Sequence, residues 1–388
     1  MKVPLLDLKL QYQSIKNEIE PAILKVAESQ MLILGEEVAQ LEKNIASYCQ
    51  TDYAVAVSSG TDALLMALMA IDLKQGDEVI IPTYSFFATA GVVVRLGAIP
   101  VFVDSEPVAF NIDTKKIKEK INSKTKAIIP VHLYGQCVDI NELLKISDEY
   151  NIPIIEDCAQ AIGAQYSNGK FAGSFGLMGC FSFYPTKNLG AFGEGGIITT
   201  NNKEFAEKLK QMRNHGMSPK YYHKFIGGNF RLDALQAAVL NVKFPHLEKW
   251  HQARRNNASL YSKLFIEAGL SETEGKTKFD NKNKVLLPKP VYQDSGQNNY
   301  HIYNQYIIRV QDRDKLRDFL GKNEIGTEIY YPVSFHRQEC FSYLKNNDKD
   351  YPIANELSET TIALPIFPEL TREQIQFVVE KIKEFYSK

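Results

Sequence analysis

Short apolar segments alternate with segments of helical periodicity through the first half of the chain. The strand-like segments cover residues 53–57, 78–82, 100–104, 126–131 and 152–157. Strands that alternate with helices form a mostly parallel sheet covered on both faces, so we predict an α/β fold. Beyond a helical run that ends near Phe265, the pattern becomes mixed, with predicted strands at residues 301–310 and 328–332 between predicted helices. We therefore predict a large domain of residues 1–245 and a smaller α+β domain of residues 246–388.

Composition restricts the partners and the cellular location. The 388 residues include 45 Lys and Arg against 46 Asp and Glu, a net charge of -1, which gives no electrostatic case for nucleic acid or a membrane surface. No apolar run is long enough to span a bilayer, and Asp7 and Lys9 interrupt any signal sequence. The five cysteines form no Cys-x-x-Cys pair. We predict a cytoplasmic protein with reduced thiols and no metal site.

Polar or aromatic residues follow the predicted strands, at 58–61, 84–87, 132, 157–160 and 184–187. Ligands of parallel sheets bind at the carboxyl ends of strands, so we expect these stretches to form one site. The first of them reads Ser-Ser-Gly-Thr and opens a helix, which is typical of phosphate sites. Gly60 would let the backbone approach closely, and Thr61 would add a hydroxyl donor. A plain helix N-cap explains this stretch equally well.

Lys187 lies between an aromatic strand and a glycine-rich turn at residues 190–196. An enclosed lysine loses its proton more readily, and the neutral amine is the nucleophile of Schiff-base chemistry. Asp157 follows a buried strand, where a carboxylate would keep a pyridine nitrogen protonated. Taken alone, Lys187 would ordinarily be explained as a surface lysine and Asp157 as the N-cap of a helix. Together with the phosphate turn and the aromatic segment, they predict pyridoxal phosphate rather than a dinucleotide, because no Gly-x-Gly-x-x-Gly follows the first strand.

Six motifs carry a resemblance to a known family. They are SGTDA (59–63), GDEVIIP (76–82), PVHLYG (130–135), EDCAQ (156–160), FSFYPTKNLG (181–190) and GNFRLDALQAA (228–238). Across nearly its whole length, the chain resembles the DegT/StrS group of pyridoxal-phosphate-dependent nucleotide-sugar aminotransferases. The resemblance implies the aspartate-aminotransferase type of fold, known as fold type I. It also implies a homodimer in which both subunits build each active site.

The resemblance further implies a role for each matching residue. Lys187 would hold the cofactor as a Schiff base and carry the proton, and Asp157 would pair with the pyridine nitrogen. The other cofactor contacts would be Phe86 stacked on the ring, Gln160 beside it, Gly60, Thr61 and Ser182 at the phosphate, and Asn229 reaching that phosphate from the other subunit.

The implied substrates are glutamate, which leaves as 2-oxoglutarate, and a nucleotide-linked ketosugar. The third residue before the lysine is often His in family members that act on 4-keto sugars and aromatic in those that act on 3-keto sugars. Here it is Tyr184, which favours amination at carbon 3. Tyr331 and His336 would contact the sugar or its diphosphate. UDP and dTDP sugars both fit, and lipopolysaccharide or other surface polysaccharides are the usual destinations.

The sequence leaves three alternatives to a 3-keto-sugar aminotransferase to be weighed. Amination at carbon 4 stays open. Dehydratases of the family replace the lysine with histidine, which the presence of Lys187 disfavours. A non-catalytic, ligand-sensing protein on the same scaffold is the alternative from another class. Because Lys187, Asp157 and Gln160 are all in place, the sequence favours the enzyme.

Overall fold

The computed structural model describes residues 1–387. Its helices are α1 (Leu8–Ser29), α2 (Glu36–Tyr48), α3 (Gly60–Ala70), α4 (Ala88–Arg95), α5 (Ile140–Tyr150), α6 (Lys203–Met212), α7 (Ala234–Lys243), α8 (Leu247–Glu267), α9 (Arg313–Lys322), α10 (Pro352–Thr360) and α11 (Arg372–Tyr386). Its strands are β1 (Tyr53–Val57), β2 (Glu78–Pro82), β3 (Ile99–Val103), β4 (Thr125–Ile128), β5 (Ile155–Asp157), β6 (Met178–Ser182), β7 (Gly196–Thr200), β8 (Val285–Leu286), β9 (Tyr306–Val310) and β10 (Thr361–Leu364).

The first seven strands form one central sheet. Strands β3, β2 and β4 are hydrogen-bonded in that order, as are β5, β6, β7 and β1. A parallel bridge between Ile128 and Ile154 joins the two groups. Only β7 runs antiparallel to its neighbours in this sheet, and the remaining strands are parallel. The predicted α/β class with a mostly parallel sheet is therefore confirmed.

Side chains of the sheet alternate between two hydrophobic clusters, one on each face. In β2, Val79 and Ile81 point into the cluster that includes α3, whereas Ile80 points into the cluster that includes α2 and α5. Successive side chains of a strand point to opposite faces of the sheet, so a strand that is buried on both faces contributes alternately to two clusters. Helices on both faces then leave the strand ends as the accessible part of the sheet, which is where the polar stretches lie.

The last three strands form a separate antiparallel sheet in the order β10, β9, β8. Helices α8, α9 and α11 cover it and share its hydrophobic cluster. Val3 belongs to the same cluster, and its N–H donates to the carbonyl of Glu324 at 2.9 Å, so the N-terminal residues pack against the C-terminal part. The division of the chain at residue 245 stays a prediction; it falls in the 3-10 turn Phe244–His246 that separates α7 from α8.

Two local expectations differ from the structure. Residues 328–332 were expected to form a strand, but Glu328 makes a single bridge to Ala363, and β10 occupies the place beside β9. The strand expected over residues 301–310 begins only at Tyr306. The reason is that residues 302 and 304 donate backbone hydrogen bonds to the carbonyls of Gly135 and Tyr134, at 2.9 and 3.0 Å, in the large part of the chain. Among the described residues, no helix combines the length and the apolar composition needed to cross a bilayer.

Candidate active site

A cavity of about 540 Å³ opens at the carboxyl ends of the central strands. Nine of the eleven residues predicted for the site line it: Gly60, Thr61, Phe86, Asp157, Gln160, Ser182, Tyr184, Lys187 and Tyr331. The two that do not are Asn229 and His336. The chain thus brings together residues that are up to 271 positions apart, counting from Gly60 to Tyr331. The individual roles of these residues stay predictions.

Lys187 follows β6 in a tight turn. Its backbone N–H donates to the carbonyl of Tyr184 at 2.8 Å, and a side chain at Gly190 would place its Cβ 2.3 Å from the carbonyl oxygen of Pro185. Burial lowers the pKa of Lys187 to about 8, although the nearby negative charge of Asp157 acts in the opposite direction. An appreciable fraction of this amine is therefore neutral near physiological pH, as a nucleophilic lysine requires.

Asp157 ends β5 and is almost fully buried. Burial raises the pKa of its carboxyl group, and two hydrogen bonds partly offset this effect. They come from the Thr89 hydroxyl at 2.8 Å and the Ala159 N–H at 3.1 Å. Thr89 was not predicted from the sequence; its position in the first turn of α4, two residues after the aromatic stretch, was the available signal. The carboxylate is thus held in a fixed orientation on the cavity wall.

The N-terminus of α3 forms the polar end of the cavity. Ser59 caps the helix by accepting the N–H of Asp62 at 3.0 Å. A Cβ at Gly60 would lie 2.6 Å from the Cβ of Ser182, so only glycine allows this approach between the helix and β6. The first N–H groups of a helix lack intrahelical partners, and they suit a phosphate here.

Aromatic side chains form the opposite wall. Phe86 is 57% exposed, and its ring centroid lies 6.1 Å from that of Tyr331. Gln160 donates from Nε2 to the Tyr331 hydroxyl at 3.0 Å. Tyr184 is half exposed at the mouth of the cavity. Glu194 and Gln305 also line the cavity and were not predicted, because isolated glutamate and glutamine residues carry no sequence signal for a site.

A buried cluster behind the site resembles a metal site in composition. One ligand atom each from His132, Glu156 and Cys158 lie within 4.8 Å of one another. The Glu156 carboxylate, however, already accepts the N–H groups of residues 173, 175 and 176 at 2.7–2.9 Å and contacts His132 Nε2 at 2.9 Å. His132 Nδ1 accepts the N–H of Val138 at 3.1 Å. His132 and Glu156 therefore belong to a hydrogen-bond network that braces β5, and the ring nitrogens and carboxylate oxygens of this pair are already used.

The two remaining predicted residues lie elsewhere. Asn229 is exposed on the segment that follows the 219–226 loop, paired with Asn214 through an antiparallel bridge. His336 is buried, and its Nδ1 lies 2.8 Å from the hydroxyl of Thr83. Its Nε2 lies 3.0 Å from Oδ1 of Asn355 and 3.2 Å from Oδ1 of Asp348. In this arrangement the ring of His336 is turned away from the cavity of its own chain.

The fold and the cavity define a class of protein. A half-buried amine, a buried carboxylate, a helix N-terminus and an aromatic wall at one sheet edge fit the aldehyde, ring nitrogen, phosphate and ring of pyridoxal phosphate. The sequence profile of the DegT/DnrJ/EryC1/StrS aminotransferase family matches residues 13–383. The chain belongs to this family of pyridoxal-phosphate-dependent aminotransferases.

Three relatives match the chain along nearly its whole length. A "pleiotropic regulatory protein" of Geobacillus stearothermophilus is 46% identical over 100% of this chain and 99% of its own. A dTDP-3-amino-3,6-dideoxy-α-D-galactopyranose transaminase of Aneurinibacillus thermoaerophilus is 39% identical, with 99% of each chain covered. A UDP-N-acetyl-3-dehydro-α-D-glucosamine 3-aminotransferase of Acidithiobacillus ferrooxidans is 38% identical over 98% of this chain and 97% of its own.

A solved structure supports the same conclusion about the fold. The crystal structure of S. venezuelae DesV in complex with a ketimine intermediate matches with a TM-score of 0.91 and 35% identity, covering 100% of this chain and 99% of that one. The fold-type-I architecture expected from the sequence is therefore confirmed, as is the dependence on pyridoxal phosphate.

The lowered pKa of Lys187 predicts how cofactor uptake depends on pH. Only the neutral amine attacks an aldehyde, so the rate of uptake by the apoprotein should rise with pH and level off above about 8. Asp157→Asn removes a charge that raises the pKa of Lys187, so the midpoint should move to lower pH. Stopped-flow absorbance with pyridoxal phosphate measures both profiles, and the midpoint of an ordinary lysine near about 10.4 would contradict the assignment.

Proposed function

We propose that this enzyme moves an amino group from glutamate to carbon 3 of a nucleotide-linked 3-ketosugar. The observation that carries the proposal is the placement of Lys187 and Asp157 on one cavity that also has a phosphate-binding helix N-terminus. The relatives that are named as transaminases support the choice of carbon 3, since both act on 3-amino or 3-keto nucleotide sugars.

When bound, pyridoxal phosphate supplies an electron sink that also stores the amino group between the two substrates. The residues of the chain orient it and move protons. Asp157, fixed by Thr89, keeps the pyridine nitrogen protonated. Lys187, as a free amine, would take the proton from the α-carbon of glutamate and pass it to the cofactor; in the second half of the cycle it would carry a proton from the cofactor to carbon 3 of the sugar.

Tyr184 supports amination at carbon 3. It lies at the mouth of the cavity three residues before Lys187, close to where a sugar must enter. Its side chain offers a phenol hydroxyl in place of an imidazole. Amination at carbon 4 is the second candidate, and the enzyme's response to paired ketosugars separates the two.

The charge of the cavity favours a homodimer with shared sites. Among the described residues, the charged side chains that line it are Asp157, Glu194 and Lys187, so this part of one chain offers a single cation. The cofactor phosphate, the carboxylates of glutamate and the nucleotide diphosphate bring several negative charges. Additional donors and cations are therefore needed. The exposed 219–231 segment carries Lys220, Lys224 and Asn229, and we assign it to the site of the partner subunit.

We also place the enzyme in the cytoplasm, in the synthesis of a surface polysaccharide such as lipopolysaccharide. Its cysteines are all free, and four of the five are buried, which suits a reducing compartment. The relative named as a regulatory protein keeps open a ligand-sensing role. The cavity, which combines a low-pKa lysine with a buried carboxylate, favours catalysis over sensing alone.

The first prediction is a two-step absorbance titration. Protein loaded with pyridoxal phosphate should lose its visible band on addition of glutamate, because the amino group is transferred to the cofactor. A 3-keto nucleotide sugar should restore the band, and the matched 4-keto sugar should not. Lys187→Ala serves as the control in which glutamate and the ketosugar should not drive this cycle of loss and recovery.

Recovery only with the 4-keto sugar would contradict carbon 3 and leave the class intact. Loss of the band with another amino donor but not with glutamate would contradict the donor. A protein that takes up the cofactor but exchanges no amino group would favour the ligand-sensing role.

The second prediction concerns the partner subunit. Asn229→Asp would place a carboxylate against the cofactor phosphate, and Lys187→Ala removes the nucleophile, so each variant alone should be nearly inactive. If Asn229 serves the partner's site, hybrids of the two variants contain one intact site. Random re-pairing should then restore about a quarter of wild-type activity.

The control for this experiment pairs Lys187→Ala with Asp157→Asn. Both residues belong to the cavity of the same chain, so their hybrids have no intact site and should stay inactive. Mass spectrometry verifies that hybrid dimers have formed in both mixtures. If both mixtures are then equally inactive, the result contradicts an active site shared between the subunits.

A further inference from the structure

We propose that Tyr84 is a positioning residue for the transfer to the ketosugar: its hydroxyl fixes the backbone at residues 330–331, so that the Tyr331 hydroxyl donates a hydrogen bond to a neutral oxygen of the sugar. The proposal rests on the function proposed above. It assigns a task to two tyrosines, Tyr84 and Tyr134, that lie outside the reacting groups.

Tyr84 is fully buried between β2 and the C-terminal part of the chain. Its hydroxyl donates to the carbonyl of Tyr330 at 2.6 Å, accepts the N–H of Tyr331 at 2.9 Å, and lies 2.8 Å from the hydroxyl of Thr361. One phenol therefore holds both sides of the peptide that links residues 330 and 331. Thr361 begins β10, so the same hydroxyl ties this peptide to the second sheet.

Tyr134 adds a second donor to the same carbonyl. Its hydroxyl hydrogen-bonds the carbonyl oxygen of Tyr330, and it lies 3.3 Å from the hydroxyl of Tyr84. A carbonyl oxygen has two lone pairs, and here two phenols occupy them. This segment was expected to form a strand; instead, side chains from the large part of the chain supply its hydrogen bonds.

The direction of the hydrogen bonds around Tyr331 determines what it can offer a ligand. The N–H of Tyr134 donates to Oε1 of Gln160 at 2.7 Å, which fixes the orientation of the Gln160 amide. Nε2 of Gln160 must then donate to the Tyr331 hydroxyl, at 3.0 Å. The oxygen of Tyr331 is thus an acceptor within the protein, and its proton is left to be donated to a molecule in the cavity.

The chemistry of this donor favours the sugar over glutamate. Burial raises the pKa of Tyr331, so the phenol stays neutral at working pH. Carboxylates are best bound by cations, which form shorter and stronger hydrogen bonds. A neutral donor beside Phe86 and Tyr184 suits a hydroxyl, carbonyl or ring oxygen of a sugar. Tyr331 is therefore assigned to the acceptor, and Tyr84 and Tyr134 to the positioning of Tyr331.

The test measures the two half-reactions separately in single turnovers. Tyr331→Phe should lower kcat/KM for the ketosugar about tenfold, the effect of one neutral hydrogen bond, and change the glutamate half-reaction by less than about twofold. Tyr84→Phe should show the same pattern. In the Tyr331→Phe background, Tyr84→Phe should lower kcat/KM for the ketosugar by less than a further factor of about two, because the hydroxyl that Tyr84 positions is gone.

Tyr134→Phe replaces Tyr84→Phe in the same measurements if Tyr84→Phe folds poorly.

The matched control is Tyr306→Phe. Tyr306 is equally buried, and its hydroxyl lies 3.1 Å from that of Ser262 in the C-terminal core. Its loss should lower the melting temperature without selective loss of the ketosugar half-reaction. Three results would overturn the proposal. The losses of Tyr84→Phe and Tyr331→Phe could multiply in the double variant, or a variant could slow both half-reactions equally. Tyr84→Phe could also lower the melting temperature without a selective loss of the ketosugar half-reaction, as expected for Tyr306→Phe. Failure of the wild-type protein with every ketosugar would instead refute the proposed function.

Discussion

The burial of one lysine opposite one aspartate is the interaction on which the site depends. Desolvation disfavours the ammonium form of Lys187, and the charge of Asp157 partly restores it, so the pKa of the lysine settles near 8. A more exposed amine would stay protonated, and one without a nearby carboxylate would lose its charge more completely. The fold keeps these opposing effects in balance by placing Asp157 at the end of β5 and Lys187 in the turn that follows the adjacent strand β6.

A low pKa alone does not make a catalytic lysine. Burial also lowers the pKa of Lys243, again to about 8. Its Nζ, however, donates to the carbonyl of Gly190 at 2.6 Å and lies outside the cavity that holds Asp157. Lys243 therefore supports the glycine turn after Lys187, whereas Lys187 faces a space in which a cofactor fits. The two lysines therefore differ in position: only Lys187 lines the cavity that holds the carboxylate of Asp157 and the N-terminus of α3.

Much of the fold could be predicted from short-range patterns in the sequence, whereas most of the cavity residues followed from the family resemblance that the motifs carry. Alternating strands and helices specify a parallel sheet, and the sheet brings the strand-end motifs to one edge. The environment of His336 could not be predicted, since its contact with Thr83 joins residues 253 positions apart. The irregular course of residues 328–332 was missed for a similar reason: its local pattern favours a strand, but hydrogen bonds from Tyr84 and Tyr134 compete with the ladder.

Covalent trapping tests the central claim most directly. Protein loaded with pyridoxal phosphate is reduced with borohydride, digested, and analysed by peptide mass spectrometry. We expect the added phosphopyridoxyl mass on the peptide that contains Lys187, and we expect Lys243 to be unmodified. Label on Lys243 or distributed over surface lysines, with Lys187 unmodified, would contradict the assignment of the active site.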